Sequence, residues 1–373
     1  MPRLPYSLLW KARAVDHLLP PLVKQCRDVH AAQNELRWLR AHADTLSRPN
    51  SKAHDGLLRK MVEQRSTGMP LQYILGTEFF GDLEIKCRPG VLIPRQETAA
   101  SVTYLAQLLQ RAKNLPSQLH VMDLCTGTGC IPLLFQHELH AARRDIQVYC
   151  LGVDISTKAL DLAKSNLRKL QKTEPAIVPN LMKFMRADIL KEPDNDVPSV
   201  LPSLKAALEL NRKPKQWDIL ISNPPYISPS AYWKTTTRSV RGFEPKLALV
   251  PKAELGGTDT EQGDAFYPRL LATAVEIDAK VVLFEVADLD QAVRVAHLAR
   301  KTNAFDGIEI WRDQPDQDDL EQVPENISKD RSCFPIIGAG NGRSVLLYRG
   351  VGASWLGMPA PMQGTLEQQQ VSL

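Results

Sequence analysis

Asn223, Pro224, Pro225 and Tyr226 follow directly on an apolar run that begins at Trp217. Neither proline offers a backbone N–H, so a strand entering them ends there. A rigid turn accounts for the prolines but not for the amide before them and the phenol after them. Those residue types suit a flat nitrogen group. The Asn223 side-chain oxygen and the Pro224 carbonyl are two acceptors for two N–H groups. Together they favour pyramidalisation of a delocalised nitrogen and stabilise positive charge developing on it. The Tyr226 ring is suited to pack on a planar target and orient it. Upstream, Asp123, Cys125, Thr126, Gly127, Thr128 and Gly129 form a second cluster. A glycine-rich turn between a strand and a helix lets a ligand approach the backbone closely.

Both clusters need a sheet whose carboxyl edge carries them, because ligands of open α/β sheets sit there. From 97 onwards the chain has that pattern. Strands are expected at 119–124, 148–155, 181–187, 217–222, 280–286, 307–312 and 344–349, and helices at 97–113, 156–170, 264–277 and 288–301. Ser156 is the expected N-cap of a helix with Ala159, Leu160, Ala163, Leu167 and Leu170 on one face. Repeated strand–helix units imply a mostly parallel sheet covered on both faces. The last two strands, with Gly338, Gly340 and Gly342 before the final one, read as an antiparallel closing pair. In this frame the glycine turn follows the first strand, and Asp154 and Asp188 end the second and third. An acid at the second tip is placed to hold ribose hydroxyls.

The rest of the chain divides around that domain. Residues 1–68 read as a small helical bundle, broken at 47–51 and ended at 67–70. Residues 69–96 read as a linker with a hairpin, from the alternation of Leu83, Ile85 and Cys87. The α/β domain then spans 97–350, with expected inserts at 190–216 and 313–335. The Gly-, Pro- and Gln-rich segment 351–373 is expected to be a disordered tail.

Composition is that of an ordinary globular protein: 373 residues, 43% hydrophobic and 24% charged. No apolar run approaches the ~18 residues of a membrane-spanning helix, so no membrane partner is expected. The net charge of +4 is uneven. Residues 1–90 hold 14 Lys+Arg against 9 Asp+Glu, which leaves 91–373 at −1. That is a poor composition for a nucleic-acid groove beside the active site, and no direct nucleic-acid partner is expected. Lys234, Arg238 and Arg241 form a local basic cluster, read either as a solvated loop or as a clamp on an acidic partner. Six cysteines lack any C-x-x-C spacing, which suits a reduced, intracellular chain. His137 and His140 have no third ligand nearby and read as a solvated helix face, so no metal is expected. The basic start, with Arg3, Lys11 and Arg13, resembles a mitochondrial presequence in composition and equally a first amphipathic helix.

Several motifs carry a family resemblance. The turn Asp123 to Gly129 resembles the first motif of class I S-adenosylmethionine-dependent methyltransferases. Pro132 stands where a dinucleotide fingerprint wants its third glycine, which argues against a pyrophosphate ligand. Asn-Pro-Pro-Tyr is found in methyltransferases that alkylate planar nitrogens: adenine N6 in DNA, guanine N2 in RNA, or glutamine. Pro70, Gln72, Tyr73, Ile74 and Gly76, then Phe79 and Phe80, then Val91 through Thr98, and later Phe243, Glu244 and Pro245, resemble the HemK/PrmC family of release-factor-specific protein-glutamine methyltransferases. The match runs over roughly 20–350.

That resemblance implies a Rossmann-like, seven-stranded sheet with an antiparallel last strand. It implies S-adenosylmethionine as cofactor and, as substrate, the glutamine of the Gly-Gly-Gln motif in a class I release factor, with the helical bundle gripping that partner. Cofactor contacts are implied for the turn from Asp123 through Gly129, and for Asp154, Asp188, Ile189 and Asn223; substrate contacts for Asn223, Pro224, Pro225 and Tyr226. Adenine-N6 or guanine-N2 methylation of nucleic acid is the alternative. Cys125 stands where the family usually has glycine, and Ala99 where it has a second acid. The expected setting is the mitochondrion, with the cytoplasm as alternative, and the expected state a monomer.

Overall fold

The computed structural model describes residues 4–49, 51–174, 181–192, 201–252, 257–317 and 334–358. Four helices open the chain: α1 (Tyr6–Val15), α2 (Leu19–Cys26), α3 (Val29–Leu46) and α4 (Lys52–Ser66). Leu19, Leu22, Val23, Leu36, Leu39, Leu58 and Met61 interlock as their common core. Asp28 and Ser51 cap α3 and α4 by accepting from Ala31 and His54 N–H groups, each cap contributing about 1 kcal/mol. A short helix α5 (Leu71–Leu75) and the hairpin β1 (Thr77–Phe80) and β2 (Leu83–Lys86) follow.

The second unit runs α6 (Gln96–Gln110), β3 (Gln118–Leu124), α7 (Cys130–Ala142), β4 (Gln147–Asp154), α8 (Thr157–Thr173), β5 (Met182–Arg186), α9 (Leu204–Leu210) and β6 (Ile219–Ser222). It continues through α10 (Pro229–Lys234), α11 (Arg238–Phe243), α12 (Asp259–Gly263), α13 (Tyr267–Glu276), β7 (Val281–Glu285), α14 (Leu289–Lys301), β8 (Gly307–Gln314), β9 (Ile336–Ile337), β10 (Ala339–Tyr348) and α15 (Val351–Trp355). The sheet order is β5-β4-β3-β6-β7-β10-β8-β9. Strands β5 to β7 are parallel, and β10 lies antiparallel between β7 and β8. Alternate strand residues feed two cores. Val121, Ile221 and Leu283 meet α6 and α7 on one face; Leu124, Leu220 and Phe284 meet α13 and α14 on the other.

Two expectations need correction, and two are refined. The sheet has eight strands, not seven: the two-residue β9 pairs with β8 and is too short to leave an alternating pattern. Residues 351–373 do not begin as a disordered tail, because α15 buries Ala353 and Trp355 and Leu356 join the first core; the call for 359–373 lies outside the described residues. The expected insert 190–216 contributes α9, capped by Ser203 and burying Leu204 and Ala207 against the second core, while 193–200 fall outside the described residues. Likewise, the expected insert 313–335 begins within β8, and 318–333 are not described.

Candidate active site

Chain order reverses at the β3/β6 pair, and the carboxyl ends of β3, β4 and β6 surround the crevice there. A cavity of about 770 Å³ occupies it. Eight residues expected to contact cofactor line it: Cys125, Thr126, Gly127, Thr128, Asp154, Asp188, Ile189 and Asn223. Pro225 joins them from the turn after β6. The expected cofactor turn and the expected reaction turn therefore share one wall.

The turn is held by packing and by the second strand tip. Asp154 accepts from Gly127 N–H at 2.8 Å and from Ser156 N–H at 2.8 Å. That binds the glycine turn to the start of α8. Thr126 N–H donates to the Val153 carbonyl. Gly152 allows this contact: a Cβ there would stand 2.6 Å from Thr126 Oγ1. Gly129, at φ +76°, starts α7 with Phe184 and Ala163 close beneath it. Cys125 also adopts positive φ, +65°, a conformation that an L side chain takes at about 1–2 kcal/mol.

Two expected cofactor residues lie behind the wall. Asp123 is fully buried, and among the described residues neither of its oxygens has a partner at hydrogen-bond geometry; burial pushes its carboxyl well above the usual carboxylate range, against the pull of Thr126. Gly129 also stays off the cavity surface. Burial likewise raises the Cys125 thiol well above its ordinary value and the Asp154 carboxyl, against the backbone N–H groups of Ser156, Gly127 and Ile155 that pull Asp154 down.

In the turn after β6, Pro224 and Pro225 are both buried and Pro225 lines the cavity. Tyr226 is not the open platform the sequence suggests. Its ring packs with the second core and its hydroxyl donates to Glu285 Oε1 at 3.1 Å. Phe266 and Phe80 are the aromatic rings on the cavity wall. Sequence reasoning quoted Arg95 and Thr98 only as part of a motif, with no role, and passed over Glu285. Arg95 donates to Glu244 at 2.8 Å, and Ile93 N–H donates to the same carboxylate at 3.0 Å. This clamps the linker to the segment after the reaction turn. Glu285 had one available signal, an acid inside the apolar run Val281 to Val286. Arg241 is a brace for α10, donating to the Trp233 carbonyl. His137 pairs with Glu174 at 2.8 Å, and no metal-binding cluster occurs among the described residues.

The residues present fit S-adenosylmethionine. A Cβ at Gly127, φ +55°, would stand 4.0 Å from the Cys125 carbonyl oxygen, so the turn leaves its cavity side uncrowded. Asp154 and Asp188 supply acceptors for hydroxyl or ammonium groups, and Ile155, Ile189 and Leu190 an apolar bed for a ring. A cavity this size suits a ligand of that class.

An open sheet of this order, with one antiparallel strand set between two parallel neighbours and its ligand crevice at the switch point, is that of a class I S-adenosylmethionine-dependent methyltransferase. Sequence relatives narrow the class. The chain is 34% identical over 68% of its length, and 70% of the relative's, to the mitochondrial MRF1 N(5)-glutamine methyltransferase MTQ1 of Saccharomyces cerevisiae. It is 31% identical over 86% of its length, and 94% of the relative's, to a probable mtq1 enzyme of Schizosaccharomyces pombe. It is 32% identical over 68% of its length, and 73% of the relative's, to a release factor glutamine methyltransferase of Bacillus subtilis. No family model matches the chain. The protein belongs to the release factor glutamine methyltransferase family and is an S-adenosylmethionine-dependent enzyme.

Proposed function

We infer that this protein methylates the side-chain amide nitrogen of a release-factor glutamine, and specifically the glutamine of the Gly-Gly-Gln motif in a mitochondrial class I release factor. One observation carries the reading: Asn223 and Pro225 line the same cavity as the Cys125–Thr128 turn, so an amide held at the first lies beside a donor held at the second.

When bound, S-adenosylmethionine supplies a methyl group already activated on sulfonium. The protein's task is then to hold a poor nucleophile. Asn223 Oδ1 and the Pro224 carbonyl each take one N–H of the target amide. They weaken its conjugation and stabilise the positive charge that grows on nitrogen. The Pro224-Pro225 unit keeps that carbonyl from rotating away. Phe80 and Phe266 exclude water and confine the flat group. Asp154 takes the ribose hydroxyls on the lone pairs left by Gly127 and Ser156. The helical bundle docks the release factor, and the place of action is the mitochondrion, as the names of the yeast relatives indicate for those proteins.

The test is transfer of labelled methyl to a purified mitochondrial release factor, with mass spectrometry to locate it. The expected product carries the label on the Gly-Gly-Gln glutamine and loses it when that residue is changed. Label on purified RNA or DNA, or on a release factor lacking the glutamine, would sink the reading.

A further inference from the structure

A primary amide is nearly symmetric in shape. Turning the Asn223 side chain over exchanges its oxygen for its NH₂ with little steric consequence, yet only one orientation offers an acceptor to a substrate N–H. Something must choose between them.

A hydrogen-bond chain leads from Asn223 into the sheet. Asn223 Nδ2 donates to Thr98 Oγ1 at 3.2 Å. The Thr98 hydroxyl donates to Glu285 Oε2 at 2.5 Å. The Tyr226 hydroxyl donates to Glu285 Oε1 at 3.1 Å. The members come from three places: the turn after β6, the first turn of α6 and the end of β7. Thr98 is 5% exposed and Glu285 4%, so water does not compete for these bonds.

The count of protons settles the direction. A threonine hydroxyl has one hydrogen. A carboxylate only accepts, so that hydrogen points at Glu285 and the Thr98 oxygen is left to accept. Whatever Asn223 turns toward Thr98 must therefore be its NH₂, which leaves Oδ1 on the side away from Thr98. Period-two alternation puts Glu285 on the same sheet face as Val281 and Leu283, the face that α6 covers.

We propose that Thr98 and Glu285 are positioning residues that fix the polarity of Asn223, so that it presents its oxygen, not its NH₂, to the substrate amide. The proposal rests on the role given to Asn223 above, and it assigns work to an acid that no other step uses. Without the chain, both amide orientations are populated, and one of them sets donor against donor.

Three variants test it. Thr98→Val keeps the shape and removes the acceptor; it should lower kcat roughly 10- to 100-fold with KM for S-adenosylmethionine and its calorimetric affinity unchanged. Thr98→Ser keeps the hydroxyl and should stay within about threefold of wild type, since the same hydrogen-bond pattern remains available. Should Thr98→Val not fold, Thr98→Ala read beside Thr98→Ser makes the same comparison. In an Asn223→Ala background, removing the Thr98 hydroxyl should have no further effect, because the two residues then act as one unit. Wild-type turnover in Thr98→Val, or an equal further loss in the Asn223→Ala background, overturns the proposal. Wild-type turnover in Asn223→Ala itself overturns instead the underlying reading of Asn223, so the two failures are distinguishable.

Discussion

Glu285 is a buried acid beside this site whose carboxyl is raised toward neutral pH. Burial pushes its carboxyl up to about 7, against the pull of Thr98, Arg343 and Tyr226, while Glu97 adds to the rise. Arg95, Tyr267 and Cys130 also face it. Only the ionised carboxylate accepts from both Thr98 and Tyr226. Turnover at saturating substrate should therefore rise as pH increases from 6 through 7 and level off above, and Thr98→Val should flatten that step. A kcat–pH profile of both proteins checks this. Cys125 makes a second residue-scale case. It holds a left-handed conformation that glycine adopts freely. Cys125→Gly relieves strain of about 1–2 kcal/mol but loses thiol packing and raises chain entropy. These nearly cancel, so stability should stay within about 1 kcal/mol. Cys125→Val, β-branched at positive φ, should lower Tm clearly; an unchanged Tm by calorimetry would contradict the assignment.

The elements that position the site were largely legible because helices and strands write their periods locally. Ser156 indeed caps α8 by accepting from Ala159 N–H, and Asp154 ends β4 as expected. The break at 47–51 falls between α3 and α4. What the sequence hid were meetings across long separations. Thr98 and Glu285 lie 187 residues apart, and nothing in either local pattern announces the other. The same holds for Arg95 and Glu244. Tyr226 is a related case: a ring beside the Asn-Pro-Pro turn looks available until the fold shows that its hydroxyl reaches Glu285. At this scale Arg95→Ala should matter beyond its own contacts. It removes a cation from a buried carboxylate, leaves Glu244 with the Ile93 N–H, and so destabilises by up to about 3 kcal/mol. It should also loosen the α11 segment. Urea titration measures the first effect, and protease sensitivity near 238–249 the second.

Across the whole molecule, charge is divided by unit. The excess of 5 in residues 1–90 belongs to the bundle and hairpin, while residues 91–373 are near neutral. The two are joined where Ser239 of α11 donates to the Gly68 carbonyl at 2.6 Å, just past α4. A docking role for the bundle then predicts that salt acts on encounter and not on chemistry. KM for the release factor should rise roughly three- to tenfold between low and high ionic strength, with kcat unchanged. A kcat that falls in parallel with rising KM would place the charge effect at the active site.

The position of β10 sets the order in which the enzyme becomes competent. Ser344 of β10 pairs with Glu285 in the ladder and its hydroxyl meets that of Ser101, so the buried floor beneath Asn223 is closed by a strand that the ribosome makes after every other strand of the sheet. A chain that ends near residue 338 holds the glycine turn, the turn after β6 and the helical bundle, but lacks the strand that covers the carboxylate at the end of β7. Synthesis from the N-terminus is thus expected to complete this floor last, and released chains truncated at increasing lengths should acquire protease resistance around β7 in a single step once 339–348 are included.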